Sequence, residues 1–576
     1  MNNNIYNKVR KIAKAVLPTC LLSLSPAFNS CSDFLDVLPM NDVVLENYWT
    51  KKDDVTSVLN SCYEALVDKD CIIRMGVWGE LRSENLRIGT SVPREIEEVV
   101  KETLLSSNSM CNWAKFYVAI NRCNTVCYYA PKVQEIDPNY SEAEMKANVA
   151  EAVAIRSLCY FYLIRTFRDV PYTTQPSIDD GQQYIIPASS FDEVLNSIIA
   201  DLESVKNDAV RRYDVDRYMD ATMLRYPRNS GRITRWSIYA MLADMYLWKG
   251  DWNKCIECCD AVLKYKKQQY DEFIEREGKS KNIILFGDSI PLIVEKREGD
   301  ELCGNAYTEI FGYGSSFESL FELQFTNQDN TWVSQYYSRD RSVAVGYLKP
   351  YDELRSTMLT SSSMLYQSTD CRGYENIATN KDYSTVEVMK YAARSMSFKN
   401  KGVSSEANLN LVYSSRSDAH ANWIIYRLTD VILMKAEALL ERNQTDWQDA
   451  FNLIDVVNRR ANDIQQATAT GTLKIENHNT SLMAMEDLLL DERHREFMFE
   501  GKRWYDLVRQ ARRDGNNDRL ISNVSRKYVE NKNAMKIKLT DPNIIYFPYF
   551  KNELKVNPLL KQNPAYGNEE NSELSN

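Results

Sequence analysis

The stretch ITRWSIYAMLADMYLWKGDWNKCIECCDAVL, residues 233–263, decides the fold class. Apolar residues recur in it at spacings of three and four on both sides of Gly250-Asp251-Trp252, which is the pattern of two amphipathic helices joined by a tight turn. Ala243 is a small residue on the first helix, and Trp252 places an aromatic ring just after the turn. Two antiparallel helices need such residues to pack closely, as in a tetratricopeptide-like hairpin.

A second stretch, residues 423–461, shows the same order of features. Thr445-Asp446-Trp447 takes the place of the turn, and Ala436 is the small residue on the first helix. The interval from Ala to Trp is nine residues in the first stretch and eleven in the second, so the period is not strict. The sequence therefore predicts a mainly α-helical protein built on degenerate tetratricopeptide-like hairpins, over about residues 52–264 and 423–512.

A long insertion separates the two regions of predicted hairpins. Residues 265–422 are rich in Ser, Tyr, Gly and Asn and have little helical periodicity, whereas residues 53–67, 112–129, 142–167 and 191–205 have it clearly. Within the insertion, Ser319-Leu-Phe-Glu-Leu-Gln-Phe325 alternates like a short strand. We therefore expect an irregular insertion that carries short strands.

Composition narrows the class of protein further. Of the 576 residues, 44% are hydrophobic and 26% are charged, and the mean hydropathy is -0.45, which excludes both a disordered chain and a polytopic membrane protein. The 19 glycines are about half the average usage. Scarce glycine disfavours turn-dense all-β architectures, so composition agrees with a helical fold.

The first thirty residues have the order of a secretory signal peptide. An apolar stretch at residues 15–28 contains no acidic residue and is too short to span a bilayer. The basic residues before it are Lys8, Arg10, Lys11 and Lys14. Ser30-Cys31 then resembles the processing site of a bacterial lipoprotein, so Cys31 is the predicted lipidation site. An ordinary cleaved signal, or acylation at Cys20, is the alternative.

Charge and motifs argue against several functions. Removal of the signal changes the formal net charge from -10 to -14, which disfavours nucleic acid as a partner. Cys255, Cys258 and Cys259 have no histidine nearby, so we interpret them as buried helical thiols rather than metal ligands. The chain has only three histidines and no nucleotide-binding, serine-hydrolase or zincin motif. We expect no catalytic residues, no metal and no cofactor.

The charge run at residues 492–500 needs separate interpretation. Glu492 and Glu496 lie four residues apart on a predicted helix and could form a catalytic carboxylate pair. However, Arg493, Arg495 and Arg503 can neutralise them. We therefore predict a structural ion-pair network that ties the C-terminal helix to the repeats.

Several motifs, taken in order along the chain, resemble the SusD/RagB family. The motifs are Cys31-Ser-Asp-Phe-Leu-Asp-Val, Ile120-Asn-Arg-Cys-Asn124, Arg156-Ser-Leu-Cys-Tyr-Phe-Tyr-Leu-Ile-Arg165, Asp169-Val-Pro171, Gly231-Arg232, Ala243-Asp-Met-Tyr-Leu247, Glu492-Arg-His-Arg-Glu-Phe-Met-Phe-Glu-Gly501 and Arg503-Trp-Tyr-Asp-Leu507. The resemblance covers essentially the whole mature chain, although the lipoprotein box departs from the usual pattern.

The resemblance implies a function and a location. It implies a lipid-anchored protein on the surface of the outer membrane that captures an oligosaccharide or polysaccharide and delivers it to a partner, a SusC-like TonB-dependent transporter barrel. It also implies a binding protein rather than an enzyme, with one SusD-like domain at residues 31–576 after a signal peptide at residues 1–30. The family places ligand contacts in the insertion.

Aromatic residues in loop-like contexts are the candidate ligand-binding residues, because sugar rings stack on aromatic planes while their hydroxyls bond to polar side chains. Trp332 is the first candidate, since it follows a run of amide and acidic side chains within the insertion. Trp78 is the second, because glycines lie on both sides of it. The remaining candidates are Arg82, Tyr336, Tyr313 and Asn330.

Two rival functions remain open from the sequence. A surface glycoside hydrolase would need two carboxylates roughly 5 to 9.5 Å apart in one groove, and new reducing ends in a glycan incubation would reveal it. A member of the same scaffold that binds peptides or proteins is the other rival, because tetratricopeptide-like scaffolds often bind peptides. Binding that survives loss of the loop aromatics would favour that second rival.

Overall fold

Packed helices make up most of the described chain. The computed structural model describes residues 48–178, 185–213, 218–220, 223–225, 227–278, 282–294, 297–298, 301–302, 305–326, 328–338, 346–351, 365–366, 370–379, 386–400, 409–416, 418–462, 473–528 and 530–567. The described residues from Trp49 onward belong to one compact unit. The predicted signal peptide at residues 1–30 and the predicted lipidation site Cys31 lie outside the described residues, and their assignments stay predictions.

The α-helices are numbered in chain order. They are α1 Lys52–Leu66, α2 Lys69–Gly76, α3 Arg94–Val100, α4 Ala114–Ile136, α5 Glu142–Phe167, α6 Phe191–Val205, α7 Pro227–Gly231, α8 Arg235–Lys249, α9 Trp252–Glu277, α10 Asn305–Tyr307, α11 Cys371–Asn376, α12 Leu428–Arg442, α13 Trp447–Asn462, α14 Leu482–Phe497, α15 Arg503–Asp514, α16 Asp518–Val524, α17 Lys532–Lys538 and α18 Lys551–Val556.

Local sequence signals explain where the predicted helices begin. The hydroxyl of Ser141 accepts a hydrogen bond from the backbone N–H of Glu144 at 3.2 Å, and the Glu144 carboxylate accepts one from the backbone N–H of Ser141 at 3.1 Å. Ser190 and Glu193 form the same capping box at the start of α6. The helices predicted at residues 53–67, 142–167 and 191–205 are confirmed, and the one predicted at 112–129 extends to Ile136.

The long helix α5 lies at the centre of the helical layer. It contacts both α4 and α6, and its C-terminal two thirds, from Ala150 onward, are buried. It is long and apolar enough to cross a bilayer by length and composition, but 83% of its most apolar window is buried inside the protein. Its apolar surface therefore serves the core of the helical layer.

The two predicted hairpins are present. In the first, Gly250 ends α8 in the left-handed conformation (φ 78°), and α9 begins two residues later. In the second, a short 3-10 turn at Gln444–Asp446 joins α12 to α13. The prediction that helix begins at Trp423 is wrong, because Trp423–Arg427 forms a strand and the helix begins at Leu428. The mainly α-helical scaffold is confirmed.

Short antiparallel strands occur both in the insertion and outside it. They are β1 Leu86–Ile88, β2 Val170–Pro171, β3 Ala188–Ser189, β4 Tyr218–Asp220, β5 Met223–Arg225, β6 Ile283–Phe286, β7 Ile290–Ile293, β8 Arg297–Glu298, β9 Glu301–Leu302, β10 Ser319–Leu323, β11 Leu348–Pro350, β12 Ile377–Thr379, β13 Val386–Val388, β14 Ala393–Asn400, β15 Leu409–Ser415 and β16 Trp423–Arg427. The strand predicted at 319–325 is β10, which pairs with β16. This pair joins the insertion to helix α12.

A buried ion-pair network also fixes the insertion to the scaffold. Arg372, in the insertion, donates to Glu492 at 2.7 Å and to Glu496 at 2.9 Å on α14. Arg427 lies between Glu496 at 2.6 Å and Glu500 at 2.8 Å. All five side chains are buried. The charge run at residues 492–500 thus forms a structural ion-pair network, as predicted.

The three arginines expected to neutralise this run have different partners. Arg495 pairs with Glu492 at 2.8 Å as expected. Arg493 instead forms a bidentate pair with Asp506, and Arg503 pairs with Glu84 at 2.6 Å. Most of the compensating charge therefore comes from residues distant in sequence.

Candidate functional site

Irregular helical turns carry the aromatic residues proposed as glycan contacts. Three π-helical segments lie at Val77–Leu81, Thr308–Tyr313 and Trp332–Ser338. Trp78 lies in the first, Tyr313 ends the second, and Trp332 and Tyr336 lie in the third. Single π-turns are frequent at functional sites because they displace a side chain from regular helical packing. Their side chains nevertheless differ sharply in exposure.

The structure places Trp332 in the core. Its side chain is 0% exposed, and its ring stacks on Tyr336 with centroids 4.7 Å apart and meets the edge of Tyr337 at 5.2 Å. The ring also covers the backbone of Gly76 so closely that an added Cβ there would lie 2.2 Å from it. Trp332 and the buried Tyr336 therefore have no free face for a sugar ring, and the prediction that they stack on a glycan is wrong.

The predicted contacts Trp78 and Arg82 are buried too. The Trp78 indole N–H donates to the carbonyl of Met110 at 2.9 Å, and its ring stacks on Phe116. Arg82 forms a buried ion pair with Glu102 at 2.7 Å. The flanking glycines of Trp78 serve close packing instead, since a Cβ on Gly79 would lie 1.9 Å from a backbone oxygen. Direct ligand contact by either side chain is a wrong prediction.

Asn330 is buried but touches the segment around residue 420. Its backbone N–H donates to the carbonyl of Ala419 at 2.7 Å, and its side-chain amide donates to the carbonyl of Ala421 at 2.8 Å. Its amide oxygen accepts from the backbone N–H of Val333 at 3.2 Å. Asn330 is therefore not a direct ligand contact, but it positions the loop at residues 418–422.

Tyr313, by contrast, lies at the surface of the insertion. Its ring is half-buried, and the guanidinium of the exposed Arg394 lies 4.8 Å from the ring centroid. Arg394 also pairs with Asp418 at 3.6 Å. Asp418 precedes the loop that Asn330 holds. Tyr313 is thus the one predicted aromatic whose position suits surface recognition, and its role as a ligand contact stays a prediction.

Further polar side chains extend this surface. His420 lies 3.8 Å from the carboxylate of Asp329, which is 65% exposed. We call Tyr313, Arg394, Asp418, His420 and Asp329 the Tyr313 cluster. The cluster contains one aromatic ring, a guanidinium, an imidazole and two carboxylates, and each residue contacts the next. These groups can donate to and accept from sugar hydroxyls beside an aromatic plane.

Asp418 remains ionised within the cluster. Partial burial alone would raise its pKa, but the backbone N–H of His420 and the charge of Arg416 outweigh burial and lower the pKa. Arg416 lies 3.5 Å from the carboxylate. A carboxylate held in this way is an acceptor and not a proton donor at neutral pH.

Sequence reasoning missed four members of the cluster. Arg394, Asp418, His420 and Asp329 are separated from Tyr313 by 16 to 107 positions, and only the fold brings them together. The available signal was the polar run Asp418-Ala-His420-Ala just before an apolar strand-like stretch in a chain with three histidines. Strand β16 places that run beside the loop of Asn330.

The thiol interpretation is confirmed. Cys255, Cys258 and Cys259 are buried on α9, and burial raises the pKa of the Cys255 and Cys258 thiols. Within the described ranges, no group of three or more His, Cys, Asp or Glu is placed to hold a metal ion.

Two family models match the chain in separate regions. One, described as SusD family, matches residues 307–566, and the other, described as starch-binding associating with outer membrane, matches residues 33–247. The chain belongs to the SusD family. Membership supports a glycan-binding role and association with the outer membrane. The family prediction made from sequence motifs is confirmed.

Relatives and solved structures agree with this assignment. SusD-like protein P38 of Formosa agariphila is 24% identical over 95% of this chain and 97% of its own length. A SusD superfamily protein from Bacteroides vulgatus has a TM-score of 0.63 and 17% identity, covering 90% of this chain and 100% of its own. A structure titled putative sugar binding protein, from the same species, has a TM-score of 0.62 and 20% identity over 90% and 99%. These structures share the fold.

Proposed function

We propose that this SusD-family chain captures an oligosaccharide or polysaccharide at the cell surface and delivers it to a partner SusC-like TonB-dependent transporter. The observation that carries the proposal is the Tyr313 cluster, which presents an aromatic ring and polar hydrogen-bonding groups on the insertion. The other three aromatics that the sequence suggested for binding, Trp332, Trp78 and Tyr336, are buried. The cluster is therefore where we place the glycan.

The chemistry of the cluster suits a sugar. The ring of Tyr313 has a flat apolar face that suits the C–H groups of a pyranose, and the guanidinium of Arg394 lies 4.8 Å from the ring centroid. Beyond the ring, the backbone N–H of His420 donates to Asp418, and the imidazole of His420 lies 3.8 Å from Asp329. Each contact is weak by itself, and a polymer that offers many units would compensate through repeated binding.

The proposed location at the cell surface depends on the N-terminal signal peptide and on acylation of the cysteine that follows it. We infer cleavage of a signal at residues 1–30, acylation of Cys31 and a single SusD-like domain over residues 31–576. An acylated cysteine would anchor the protein without a transmembrane helix. Labelling with an alkyne fatty acid should mark the wild-type protein and leave Cys31→Ser unlabelled, while Cys20→Ser should remain labelled. Surface exposure can be tested by protease treatment of whole cells.

Binding is tested with the unlipidated chain, residues 32–576. Affinity electrophoresis against plant, host and microbial polysaccharides would identify a retained glycan, and calorimetry would give the affinity. Tyr313→Ala should lose retention while its melting temperature is unchanged. Tyr128→Ala is the matched control, because Tyr128 is an exposed tyrosine on α4. Equal retention of both variants would contradict the assigned site.

The same preparation tests the rival functions. Asp418 lies beside the guanidinium of Arg394 and Asp329 beside the imidazole of His420, an arrangement that suits binding more than a pair of catalytic carboxylates. No new reducing ends are expected after incubation with the retained glycan. Absence of glycan binding across the panel, with retained binding of peptides, would instead favour a peptide-capturing member of the scaffold.

A further inference from the structure

An apolar groove lies on the helical scaffold, formed by residues outside the Tyr313 cluster. Helix α4, the extended segment at residues 171–177 and the C-terminal segment that includes α18 form it. Its volume is about 660 Å³, within the range of about 300–1,000 Å³ that ligand pockets commonly have. The lining is mostly apolar and includes Tyr117, Ile120, Pro171, Ile186, Val556 and Leu560.

Hydrogen bonds from α4 hold one wall of this groove. Tyr117 donates to the carbonyl of Pro171 at 2.6 Å, and the side chain of Asn121 accepts from the backbone N–H of Ser177 at 2.6 Å. Asn124 donates to two further carbonyls of the same segment at 3.3 and 3.2 Å. The polar groups of the wall are thus largely used in holding it. What remains for an occupant is a preformed apolar surface.

Exposed aliphatic side chains gather around the groove. Of the ten large apolar side chains that are exposed among the described residues, four lie in the groove or are sequence neighbours of a residue that lines it. Ile185 and Val556 line the groove, Val118 follows the lining residue Tyr117 in the sequence, and Leu559 precedes the lining residue Leu560. Val556 is 66% exposed, the highest value of the four. Scattered exposed apolar residues are ordinary, but a group around an apolar groove marks a surface that contacts something apolar.

The C-terminal segment adds positive charge to this face. Lys551, Lys555 and Lys561 lie within eleven residues of one another, and the structure shows no ion pair between them and another described residue. The chain as a whole has a formal net charge of -10. Glu553 is the acidic residue in the lining, and burial raises its pKa although the Trp113 side chain donates a hydrogen bond to it. The segment at residues 551–561 therefore carries three lysines and a single glutamate, in a chain that is acidic as a whole.

The residue types favour lipid over protein as the occupant. Hot spots of protein interfaces are rich in Trp, Tyr and Arg, whereas Lys is depleted and Leu and Val are under-represented. Here the exposed groups are aliphatic side chains and lysines. Aliphatic protrusions that enter the headgroup boundary, together with lysines that attract anionic headgroups, are the means by which peripheral proteins bind membranes.

We propose that the groove between α4, residues 171–177 and residues 551–560, with its aliphatic rim and its lysines, binds an anionic lipid surface. The face would give the protein body a second contact with the membrane, in addition to an acyl anchor at the N-terminus. The proposal does not depend on glycan capture, because the groove and the Tyr313 cluster share no residue.

The test uses the unlipidated chain, residues 32–576, and flotation with vesicles. One set of vesicles contains phosphatidylglycerol and phosphatidylethanolamine at 3:7, and the other contains only phosphatidylcholine. The wild-type chain should float with the anionic vesicles and less with the neutral ones. The double variant Val556→Glu/Leu559→Glu should bind the anionic vesicles about tenfold more weakly or worse.

Two further variants separate the contributions. Lys551→Gln/Lys555→Gln/Lys561→Gln should weaken binding to anionic vesicles by about fivefold per lysine at low salt and by less at high salt. Ile537→Glu is the control for an exposed aliphatic residue elsewhere, since Ile537 is 72% exposed on α17. It should float like the wild type. All variants should keep the wild-type melting temperature and glycan affinity.

Three results would overturn the proposal. The first is that the wild-type chain fails to float with anionic vesicles. The second is that Ile537→Glu loses as much binding as the groove variants, which would indicate a general charge effect. The third is that the groove variants float normally but abolish a dimer seen in sedimentation, which would assign the face to a second copy of the chain.

Discussion

Asn330 holds the peptide groups on both sides of His420. It donates to the carbonyls of Ala419 and Ala421 at 2.7 and 2.8 Å, and it is itself fully buried. The imidazole of His420 is therefore presented by a loop whose backbone is bonded to the buried layer of the insertion. This relationship gives Asn330 a role in the site although no ligand could touch it.

Asn330→Ala should weaken glycan binding and lower stability together. The substitution keeps the backbone bond to Ala419 but leaves the Ala421 carbonyl without its donor and the Val333 N–H without its acceptor, at a cost of about 1–3 kcal/mol each at most. Calorimetry and thermal melting measure the two effects. Tyr313→Ala provides the contrast, since it should change affinity alone. A glycan affinity that is unchanged in Asn330→Ala would show that the loop at residues 418–422 does not contribute to the site.

The aromatic ring of Tyr313, and not its hydroxyl, should carry its contribution. Tyr313→Phe keeps the face that a sugar would contact and should retain affinity within about twofold, whereas Tyr313→Ala should lose about 0.5–1.5 kcal/mol of binding free energy. Titration with the retained oligosaccharide measures both. Equal losses in the two variants would assign the contribution to the hydroxyl instead.

Trp332→Ala should be a stability variant. Its side chain is fully buried against Tyr336 and Tyr337, so removal of the ring should cost about 3–5 kcal/mol of unfolding free energy. Denaturant titration measures the loss. A variant with wild-type stability but no glycan binding would restore Trp332 as a ligand contact.

Gly76 and Trp332 should show energetic coupling. A Cβ at Gly76 would lie 2.2 Å from the indole ring, so Gly76→Ala should destabilise the fold by about 1–3 kcal/mol. The smaller ring of Trp332→Phe should relieve part of this overlap in the double variant. A double-mutant cycle of unfolding free energies gives the coupling directly. Strict additivity would mean that the two residues do not compete for the same space.

Acid should unfold the protein between about pH 4.5 and pH 2. Burial alone would raise the pKa of Glu500, but Arg427 and Lys390 outweigh it and lower the pKa to about 2. Burial would likewise raise the pKa of Glu84, and Arg503 lowers it to about 2. Their stabilising effect is complete above the ordinary carboxyl range and is lost as the pH falls toward the lowered pKa, on the order of 3 kcal/mol for each group.

Thermal melting at pH 7, 4 and 3 tests this dependence. The melting temperature should fall mainly between pH 4 and pH 3. Glu500→Gln should lower stability at pH 7, because it removes the charge that compensates the buried Arg427, and should show a shallower fall below pH 4.5. A wild-type slope in Glu500→Gln would contradict the assignment.

The helical scaffold could be predicted because its information is local. Periodicity defined α5 and α6, and the capping residues Ser141 and Ser190 marked where they start. The stretch Trp423–Arg427 was assigned wrongly because a short apolar run fits a buried strand or a helix equally well. Its pairing with β10, about a hundred residues away, decides between them.

The candidate site could be predicted only in part, because the exposure of a side chain depends on residues that are distant in the sequence. Polar neighbours made Trp332 look like a surface residue, yet the amide of Asn330 is satisfied by carbonyls about ninety residues later and the ring fills the space above Gly76. Tyr313 was a candidate from the sequence and its role stays a prediction, whereas its neighbours Arg394 and His420 come from other parts of the insertion. No regular spacing in the sequence relates Arg394 and His420 to Tyr313.

The ion pairs of Arg372 have a consequence for protein engineering. They place a cation of the insertion between Glu492 and Glu496, where water does not reach. A shortened chain that lacks the insertion would lose this shared cation and leave Glu492 with Arg495 and Glu496 with Arg427 as buried partners, so its fold should be destabilised. A minimal scaffold for grafting new recognition loops should therefore retain Arg372, and diversity should be introduced outward from Tyr313.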